Sequence, residues 1–471
     1  MAHSPRSSDR PPHKTTGRPN GKPDGKPGGK AFGKPERKGP PIAGLESRQA
    51  ALDLLTLVRS GATLDEALEK GRSFDDLVGP DRAFARALAT TVLRRQGTID
   101  HLIGSYIDKP LPKRAKKATD VLRLATAQSV FFETPDHAVV STSVEMVKVY
   151  KETAGYAGLV NAVARKIARH GAASAKTLPV RTDTPGWMWR SWERAYGPDK
   201  AKAIAAAHGN EAPLDLTLRN PGDIESLAKS LEAEIVLGSS LRLKEHGPVT
   251  ELPGFLEGAW WVQDVAASLP AKLLGDVSGK RVFDLCAAPG GKALQLSAGG
   301  ARVVAVDING PRLKLVQENM SRMSLFADTI KEDVLEWTPT EKADAILLDA
   351  PCTATGTIRR HPDILRSKTE DNVKALIDLQ ASLIDKALTM LKPGGTLVYA
   401  VCSLQREEGE KQIEAALSRH PSLTRQPIQP EEIGGLADAI NPKGDLRTLP
   451  ALLAEKGGMD GFFASRLVIP A

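Results

Sequence analysis

The stretch Asp284-Leu-Cys-Ala-Ala-Pro-Gly-Gly-Lys292 decides the fold, because it joins a short β-rich run, Arg281–Leu285, to a helical pattern around Lys292–Ser297. A glycine-rich turn between a strand and a helix is typical of the ligand-binding edge of an open α/β sheet, where the backbone approaches a ligand closely. Gly290 and Gly291 also accept backbone angles that other residues avoid. The turn matches neither GxGxxG nor GxxxxGK[ST], which argues against a dinucleotide and against a phosphate cradle.

Strand and helix signals alternate from this turn to the end of the sequence. The further β-rich runs are Val303–Asp307, Thr329–Lys331, Ala345–Leu348 and Thr396–Tyr399, and helical patterns lie at Pro311–Met323 and Leu376–Leu391. Strands interleaved with helices predict a parallel, doubly wound sheet. We therefore expect a Rossmann-like α/β domain over residues 261–471.

The upstream sequence predicts further regions and so a multidomain, 471-residue chain. Apolar residues at helical spacing predict an all-α domain over residues 45–170, with helical segments at Ala50–Arg59, Ala83–Leu93, Ala118–Phe132 and, as the end of a last helix, Asn161–Ile167. A polar stretch at residues 171–185 predicts a linker. Residues 186–260 predict a small mixed subdomain, with helices at Trp187–Tyr196 and Ser226–Ala233 and a strand at Leu214–Leu218.

Charge and composition set the remaining limits. The net charge of +7 comes from residues 1–40, where ten Lys and Arg stand against three acidic residues. With many Gly and Pro, residues 1–44 predict a disordered basic tail, which either contacts a polyanion or only solubilises the chain. No apolar run approaches the roughly 18 residues that span a bilayer, and the N-terminus lacks an apolar signal region, so we expect a cytoplasmic protein. The three cysteines show no metal-ligand spacing, which predicts free thiols and no metal.

Two carboxylates at successive strand ends predict the ligand of the glycine turn. Asp307 ends the second strand, where an acidic residue binds ribose hydroxyls in Rossmann-like sites. Asp333 follows the third strand and can accept from an adenine amino group. Each residue alone reads as a helix cap or a turn residue, but together with the turn they favour an adenosine ligand without pyrophosphate. S-adenosyl-L-methionine is such a ligand.

Two cysteines follow the next two strands. Cys352 stands in Asp349-Ala-Pro-Cys352-Thr-Ala-Thr-Gly356, and Cys402 ends the run Tyr399-Ala-Val-Cys402-Ser403. Both thiols are therefore expected at the carboxyl edge of the sheet, beside the cofactor. Cys286, before the glycine turn, fits a buried apolar role in which it can also line the cofactor site.

Residues 45–471 resemble the RsmB/Nop/Sun family of RNA cytosine-5 methyltransferases. The motifs that carry the resemblance are DLCAAPGGK, DAPCTATGTIRRHPD and YAVCSLQREEGE, with WVQD upstream at Trp261–Asp264. The helical region resembles the NusB-type RNA-binding domain of the RsmB branch through Pro135-Asp-His-Ala-Val-Val and Gly158-Leu-Val-Asn-Ala-Val-Ala-Arg165. The resemblance implies methylation of cytosine C5 in RNA, with small-subunit ribosomal RNA as the expected substrate and a monomeric enzyme.

The resemblance also implies the role of each site residue. Cys402 matches the family nucleophile, Cys352 matches the cysteine that assists product release, and Asp349 would hold the cytosine edge. The expected cofactor residues are Cys286, Ala287, Ala288, Pro289, Gly290, Gly291, Lys292, Asp307, Asp333 and Asp349.

Several points stay open at the level of the sequence. Chemistry alone leaves either Cys352 or Cys402 eligible as the nucleophile, since DNA cytosine-5 methyltransferases attack from a Pro-Cys such as Pro351-Cys352. Arg359 and Arg360 are expected either to supply positive potential to the thiols or to bind RNA phosphates. The alternative functions are a tRNA methyltransferase and a non-catalytic ribosome-assembly or RNA-binding factor.

Overall fold

The first region of the computed structural model, which describes residues 43–471, is a bundle of helices. They are α1 Leu45–Arg59, α2 Leu64–Lys70, α3 Arg72–Asp75, α4 Gly79–Arg94, α5 Gln96–Gly104, α6 Lys116–Phe131, α7 Asp136–Lys148 and α8 Ala157–Lys176. Apolar residues at helical spacing, such as Leu52, Leu88 and Val121, form one buried core. The predicted helical segments are confirmed, but α8 continues through Lys176, so the predicted linker begins as helix. The predicted tail lies outside the described residues, except for its last two positions.

A small mixed region follows the bundle. Its elements are α9 Gly186–Tyr196, α10 Pro198–His208, β1 Leu214–Leu218, α11 Ile224–Ser230, β2 Glu234–Val236, β3 Ser240–Leu243 and β4 Trp260–Val262. The strands form an antiparallel sheet in the order β2-β3-β1-β4. Asp215 of β1 and Arg242 of β3 form a buried ion pair with Nε–Oδ1 at 2.6 Å, and Asp215 also accepts from the backbone N–H of Val265. The small sheet is thereby tied to the start of the next region.

The last region is built on a large mixed sheet. Its elements are α12 Val265–Lys272, β5 Arg281–Leu285, α13 Gly291–Ala298, β6 Arg302–Asp307, α14 Gly310–Arg322, β7 Asp328–Lys331, β8 Ala343–Asp349, α15 Ile364–Ser367, α16 Glu370–Thr389, β9 Leu391–Val401, α17 Glu410–Arg419, β10 Thr424–Arg425, β11 Leu446–Arg447 and β12 Phe463–Val468. The strand order is β10-β12-β9-β8-β5-β6-β7, and β11 also pairs with β12. The strands from β9 to β7 are parallel, which confirms the Rossmann-like prediction. The strand β12 is antiparallel to β9, a feature that the sequence analysis did not anticipate.

Alternating side chains of the parallel strands bury both faces of this sheet. Val282 and Leu347 belong to the core shared with α12, α13 and α14, whereas Phe283 and Leu348 belong to the core shared with α16 and α17. A strand that is covered on both faces carries apolar side chains on both, so its sequence is a nearly continuous apolar run. This pattern made the strands recognisable in the sequence. The helices on either face leave the carboxyl ends of the strands open to a ligand.

The described regions belong to one compact unit, so the predicted domain boundaries stay predictions. Between residues 43 and 471, no helix combines the length and the apolar character needed to cross a membrane.

Candidate active site

The turn after β5 is shaped by glycine and by two hydrogen bonds. Gly290 has φ of 102°, and a Cβ at this position would lie 3.0 Å from the side chain of Val316. The backbone N–H of Ala288 donates to Oδ2 of Asp307 at 3.0 Å, and Arg312 donates to the carbonyl of Ala288 at 2.6 Å. The predicted glycine turn therefore exists, and Asp307 at the end of β6 holds it in place.

The predicted carboxylates converge around this turn. Asp307 ends β6, Asp333 follows β7 and Asp349 ends β8, at the same edge of the sheet as Asp284 in β5. Burial raises the pKa of the Cys286 thiol, and the four carboxylates raise it further. All four carboxylates therefore act on this thiol from the same edge of the sheet.

Asp284 shows what kind of ligand this pocket suits. The side chain is 1% exposed, and among the described residues no side-chain donor bonds to either of its oxygens. Burial raises the pKa of Asp284 to about 8; Lys292 acts in the opposite direction, and Asp349 and Asp307 raise the pKa further. A buried carboxylate that no cationic side chain contacts by a hydrogen bond is costly, and a cationic ligand would lower that cost. The pocket therefore fits S-adenosyl-L-methionine, whose sulfonium and ammonium groups are positive.

One apolar residue of the pocket was missed by the sequence analysis. Ile308 directly follows Asp307 and is 66% exposed, although its side chain is large and apolar. An exposed apolar side chain beside Asp307 is available for contact with an apolar or aromatic part of a ligand. The signal was present in the sequence as an isoleucine just after the strand.

The two predicted thiols meet at the ends of β8 and β9. Asp349 pairs with Ala400 in the parallel register, and Sγ of Cys352 lies 3.4 Å from Sγ of Cys402. Both cysteines are free. The hydrogen bond with Cys402 raises the pKa of the Cys352 thiol, and burial raises it further. Cys352 is therefore held as a neutral thiol that can donate to the sulfur of Cys402.

A buried carboxylate that sequence reasoning did not single out joins the two cysteine loops. Glu408 is 0% exposed and accepts from the backbone N–H of Thr353 at 2.9 Å and from Nε2 of Gln380 at 3.2 Å. The hydroxyl groups of Thr353 and Ser403 donate to its other oxygen, each at 2.5 Å. Thr353 and Ser403 each directly follow a reactive cysteine. Glu408 consequently fixes the position of both loops.

Two cations lie near Cys402. Lys292 Nζ is 2.7 Å from Oδ2 of Asp349; burial lowers the pKa of Lys292, but Asp349, Asp284 and Cys402 together raise it above its ordinary value. The pKa of Arg360 is raised too: burial opposes the shift, while Asp460, Asp264 and Cys402 favour it. Positive potential of this kind stabilises a thiolate.

Arg359 is not accessible to RNA phosphates, and that part of the prediction is wrong. Its side chain is 1% exposed and bonds to Asp264 at 3.1 Å and to the carbonyl of Gly457. Arg360 is paired with Asp460, with Nε–Oδ2 at 2.8 Å, and its side chain is 37% exposed. Of the two arginines, Arg360 therefore corresponds to the predicted source of positive potential near Cys402.

Over the part of the chain that the structure describes, no three His, Cys, Asp or Glu side chains are grouped so as to hold a metal ion.

Comparison with known proteins gives the same picture. A family model described as 16S rRNA methyltransferase RsmB/F matches residues 271–468, and a NusB family model matches residues 45–169. Ribosomal RNA small subunit methyltransferase B of Pseudomonas putida is 34% identical over 90% of this chain and 98% of its own length. The protein of the same name from Xanthomonas campestris pv. campestris is 35% identical over 82% of this chain and 91% of its own.

A solved structure agrees on the fold. The crystal structure of PH0851 superimposes with a TM-score of 0.72 and 22% identity, over 91% of this chain and all of that one. The order of the regions, the two matching family models and the full-length relatives lead to one conclusion. The chain belongs to the RsmB/F family of 16S rRNA methyltransferases.

Proposed function

We propose that this protein uses S-adenosyl-L-methionine to convert a cytosine of small-subunit ribosomal RNA into 5-methylcytosine. The observation that carries the proposal is the pair of free thiols, Cys352 and Cys402, 3.4 Å apart and next to a carboxylate-lined cofactor pocket. The choice of RNA is supported by the relatives, which are named as small-subunit ribosomal RNA methyltransferases.

The chemistry of cytosine explains the need for a thiol. Ring atom C5 is a poor nucleophile, but a thiolate that adds to C6 turns the ring into an enamine, so one hard step becomes two easier ones. We assign this addition to Cys402, because Cys352 is held neutral and can donate a hydrogen bond to it. Lys292 and Arg360 supply positive potential to the attacking sulfur.

The remaining steps involve Asp349 and Cys352. Asp349 holds N3 and the amino edge of the cytosine, and its ion pair with Lys292 orients the carboxylate. The methyl group that C5 accepts is supplied by S-adenosyl-L-methionine. Cys352 then assists while C5 loses its proton and the bond between C6 and Cys402 breaks, which frees the product.

We assign the cofactor to the residues that were expected from the sequence to bind it. The turn from Cys286 to Lys292 supplies backbone contacts, Asp307 binds the ribose, and Asp333 accepts from the adenine amino group. The support for this assignment is that Asp284, Asp307, Asp333 and Asp349 lie at one edge of the sheet and all raise the pKa of the Cys286 thiol.

The RNA must present its cytosine outside a stack, because both thiols are partly buried at the edge of the sheet. A loop or a locally opened helix is therefore the expected target. The assignment to ribosomal RNA also places the enzyme in the cytoplasm. Light scattering tests the prediction that it is a monomer.

Bisulfite sequencing of total RNA from cells with and without the gene tests the function directly. We expect 5-methylcytosine to disappear from small-subunit ribosomal RNA. Its loss from transfer RNA instead would support the tRNA alternative, and unchanged methylation everywhere would support a non-catalytic assembly factor. Purified enzyme with free 16S rRNA or assembled small subunits then shows which form is the substrate.

A further inference from the structure

The loop that follows Cys352 is docked on the helical bundle. Arg94, the last residue of α4, donates through Nη2 to the carbonyl of Arg359 at 2.9 Å. Nδ1 of His361 lies 3.4 Å from Oδ2 of Asp65 in α2. These contacts join the catalytic sheet to a region far upstream in the sequence.

Arg94 is an unusual partner for a backbone carbonyl. Its side chain is buried, and among residues 43–471 it forms no ion pair, while its Nε has no hydrogen-bond partner. Burial lowers its pKa, Glu211 acts in the opposite direction, and the nearby charges of Arg95 and Arg359 lower the pKa further. A buried guanidinium without a carboxylate contributes little to the stability of its own domain. The hydrogen bond from Nη2 of Arg94 instead restrains the loop that contains Arg359, which belongs to the region of the large sheet.

A buried histidine, His208, lies near Arg94 and Arg359. His208 is 3% exposed, and neither of its ring nitrogens has a partner in the described part of the chain. Burial, with Arg359 and Arg94, lowers the pKa of His208 to about 3. The imidazole is therefore neutral at physiological pH, and it does not add to the positive charge around the carbonyl that Arg94 holds.

The restrained carbonyl is directly connected to the active site. It belongs to the peptide that joins Arg359 to Arg360, and Arg360 supplies positive potential to Cys402. In the other direction the same loop leads back to Cys352, past Gly356, whose backbone N–H donates to the carbonyl of Cys402 at 3.0 Å. A shift of this loop consequently moves both Arg360 and the loops that carry the two thiols.

We propose that Arg94 is a positioning residue for methyl transfer, through which the helical domain holds the loop between Cys352 and Asp363 in its reactive arrangement. This inference rests on the proposed function and extends it, because the helical domain then acts in the chemical step besides any contact with RNA.

The test compares Arg94→Met with Arg82→Met. Arg82 lies on the same helix and also donates to a backbone carbonyl, that of Phe74 at 2.8 Å, but within the helical bundle. We expect Arg94→Met to lower kcat by roughly 10- to 100-fold, since misplacement of reacting groups by about 1 Å has effects of this size. The KM for RNA and the affinity for S-adenosyl-L-methionine should stay unchanged, and Arg82→Met should keep kcat.

Three results would overturn the proposal: an unchanged kcat in Arg94→Met, a rise in KM alone, or equal losses of kcat in both variants. The second result would make Arg94 an RNA contact, and the third would reduce its role to stability. Amide hydrogen exchange of residues 353–363 supplies a readout that needs no RNA. Faster exchange in Arg94→Met than in Arg82→Met supports the proposal even if the substrate is not ribosomal RNA, and equal exchange contradicts it.

Discussion

The carboxyl ends of β5, β6 and β7 and those of β8 and β9 lie along one edge of the same sheet, but they differ in charge. Around the first group, four carboxylates surround Cys286. Around the second, Lys292 and Arg360 lie near Cys402. Asp349, paired with Lys292, marks the border between them. The negative half suits a cationic methyl donor and the positive half suits a thiolate, so one sheet edge separates the two reactants by charge.

The comparison teaches that a cysteine at a strand end is not defined by its position alone. Cys286 follows β5 and Cys402 follows β9, two strands of the parallel sheet that are separated by β8. Burial and the surrounding carboxylates keep the first thiol protonated, whereas the second has cations beside it. Only the positive half of the edge is therefore expected to produce a nucleophile.

The largest expected effect comes from removing a thiol from the positive half. Cys402→Ala should lower methylation by roughly a thousandfold or more, as loss of a covalent nucleophile does elsewhere, and should form no covalent RNA adduct. Cys352→Ala should still attack C6 and transfer methyl but release product poorly, so adducts accumulate. Denaturing gels with labelled RNA measure both. Adducts with Cys402→Ala and none with Cys352→Ala would exchange the two roles.

The next prediction tests whether the loops that carry the two thiols need Glu408 to keep their positions. Glu408→Ala leaves four donors without their acceptor, and we expect kcat to fall by about 100-fold as the cysteine loops shift. Glu407→Ala is the matched control, because that neighbouring carboxylate pairs with Lys411. Steady-state kinetics below the unfolding temperature of both variants gives the comparison. Similar activity in the two variants would show that the loops keep their positions without Glu408.

A smaller effect is expected for a substitution at the carboxylate-rich ends of β5, β6 and β7. Asp307→Ala removes a charge-assisted hydrogen bond to ribose, a loss of about 1.5–3 kcal/mol, or roughly 10- to 150-fold in cofactor affinity. Asp328→Ala, at the exposed start of β7, is the control. Calorimetry with S-adenosyl-L-methionine measures both affinities. An unchanged affinity in Asp307→Ala would mean that the ribose lies elsewhere.

The smallest effect concerns the pH dependence of cofactor binding. Asp284 has a pKa of about 8 in the free protein, so it carries a proton below that pH. A sulfonium cation favours the ionised carboxylate, so binding releases a proton and affinity should rise with pH up to about 8, by at most about tenfold per pH unit.

Two comparisons test that expectation by calorimetry. S-adenosylhomocysteine lacks the sulfonium charge and should show a weaker pH dependence than the methyl donor. Asp284→Asn should flatten the dependence for both ligands. If the affinities of the two ligands depended equally on pH in the unsubstituted protein, Asp284 would not respond to the sulfonium charge.

The sequence predicted the parallel strands and the converging residues because these depend on local patterns. β5, β6, β8 and β9 contain apolar runs that end at an aspartate or are followed by a cysteine. The strand β12 escaped prediction because it buries polar residues: Ser465 is fully buried, and Arg466 pairs with Glu432. A polar side chain on a buried strand obscures the apolar pattern.

Long-range partners were beyond the reach of the sequence. Arg359 was read as a free cation because its partners, Asp264 and Asp460, lie about a hundred residues away in either direction. Glu408 and Arg94 were missed for the same reason, since each acts on loops from other parts of the chain. A sequence pattern shows which charges are present, but only the fold shows which of them are already paired.

The strand order β9-β8-β5-β6-β7 has a consequence for how the enzyme is made. The adjacent strands β5 and β8 are separated along the chain by β6, β7 and their helices, and such non-local parallel pairs form slowly during folding. The cofactor pocket exists only once these strands have paired, so the ligand binds the native state and not the unfolded chain. At a hundred times its Kd, such a ligand adds about 2.7 kcal/mol to stability. A supply of methyl donor well above its Kd is therefore expected to favour the native form of the newly synthesised protein.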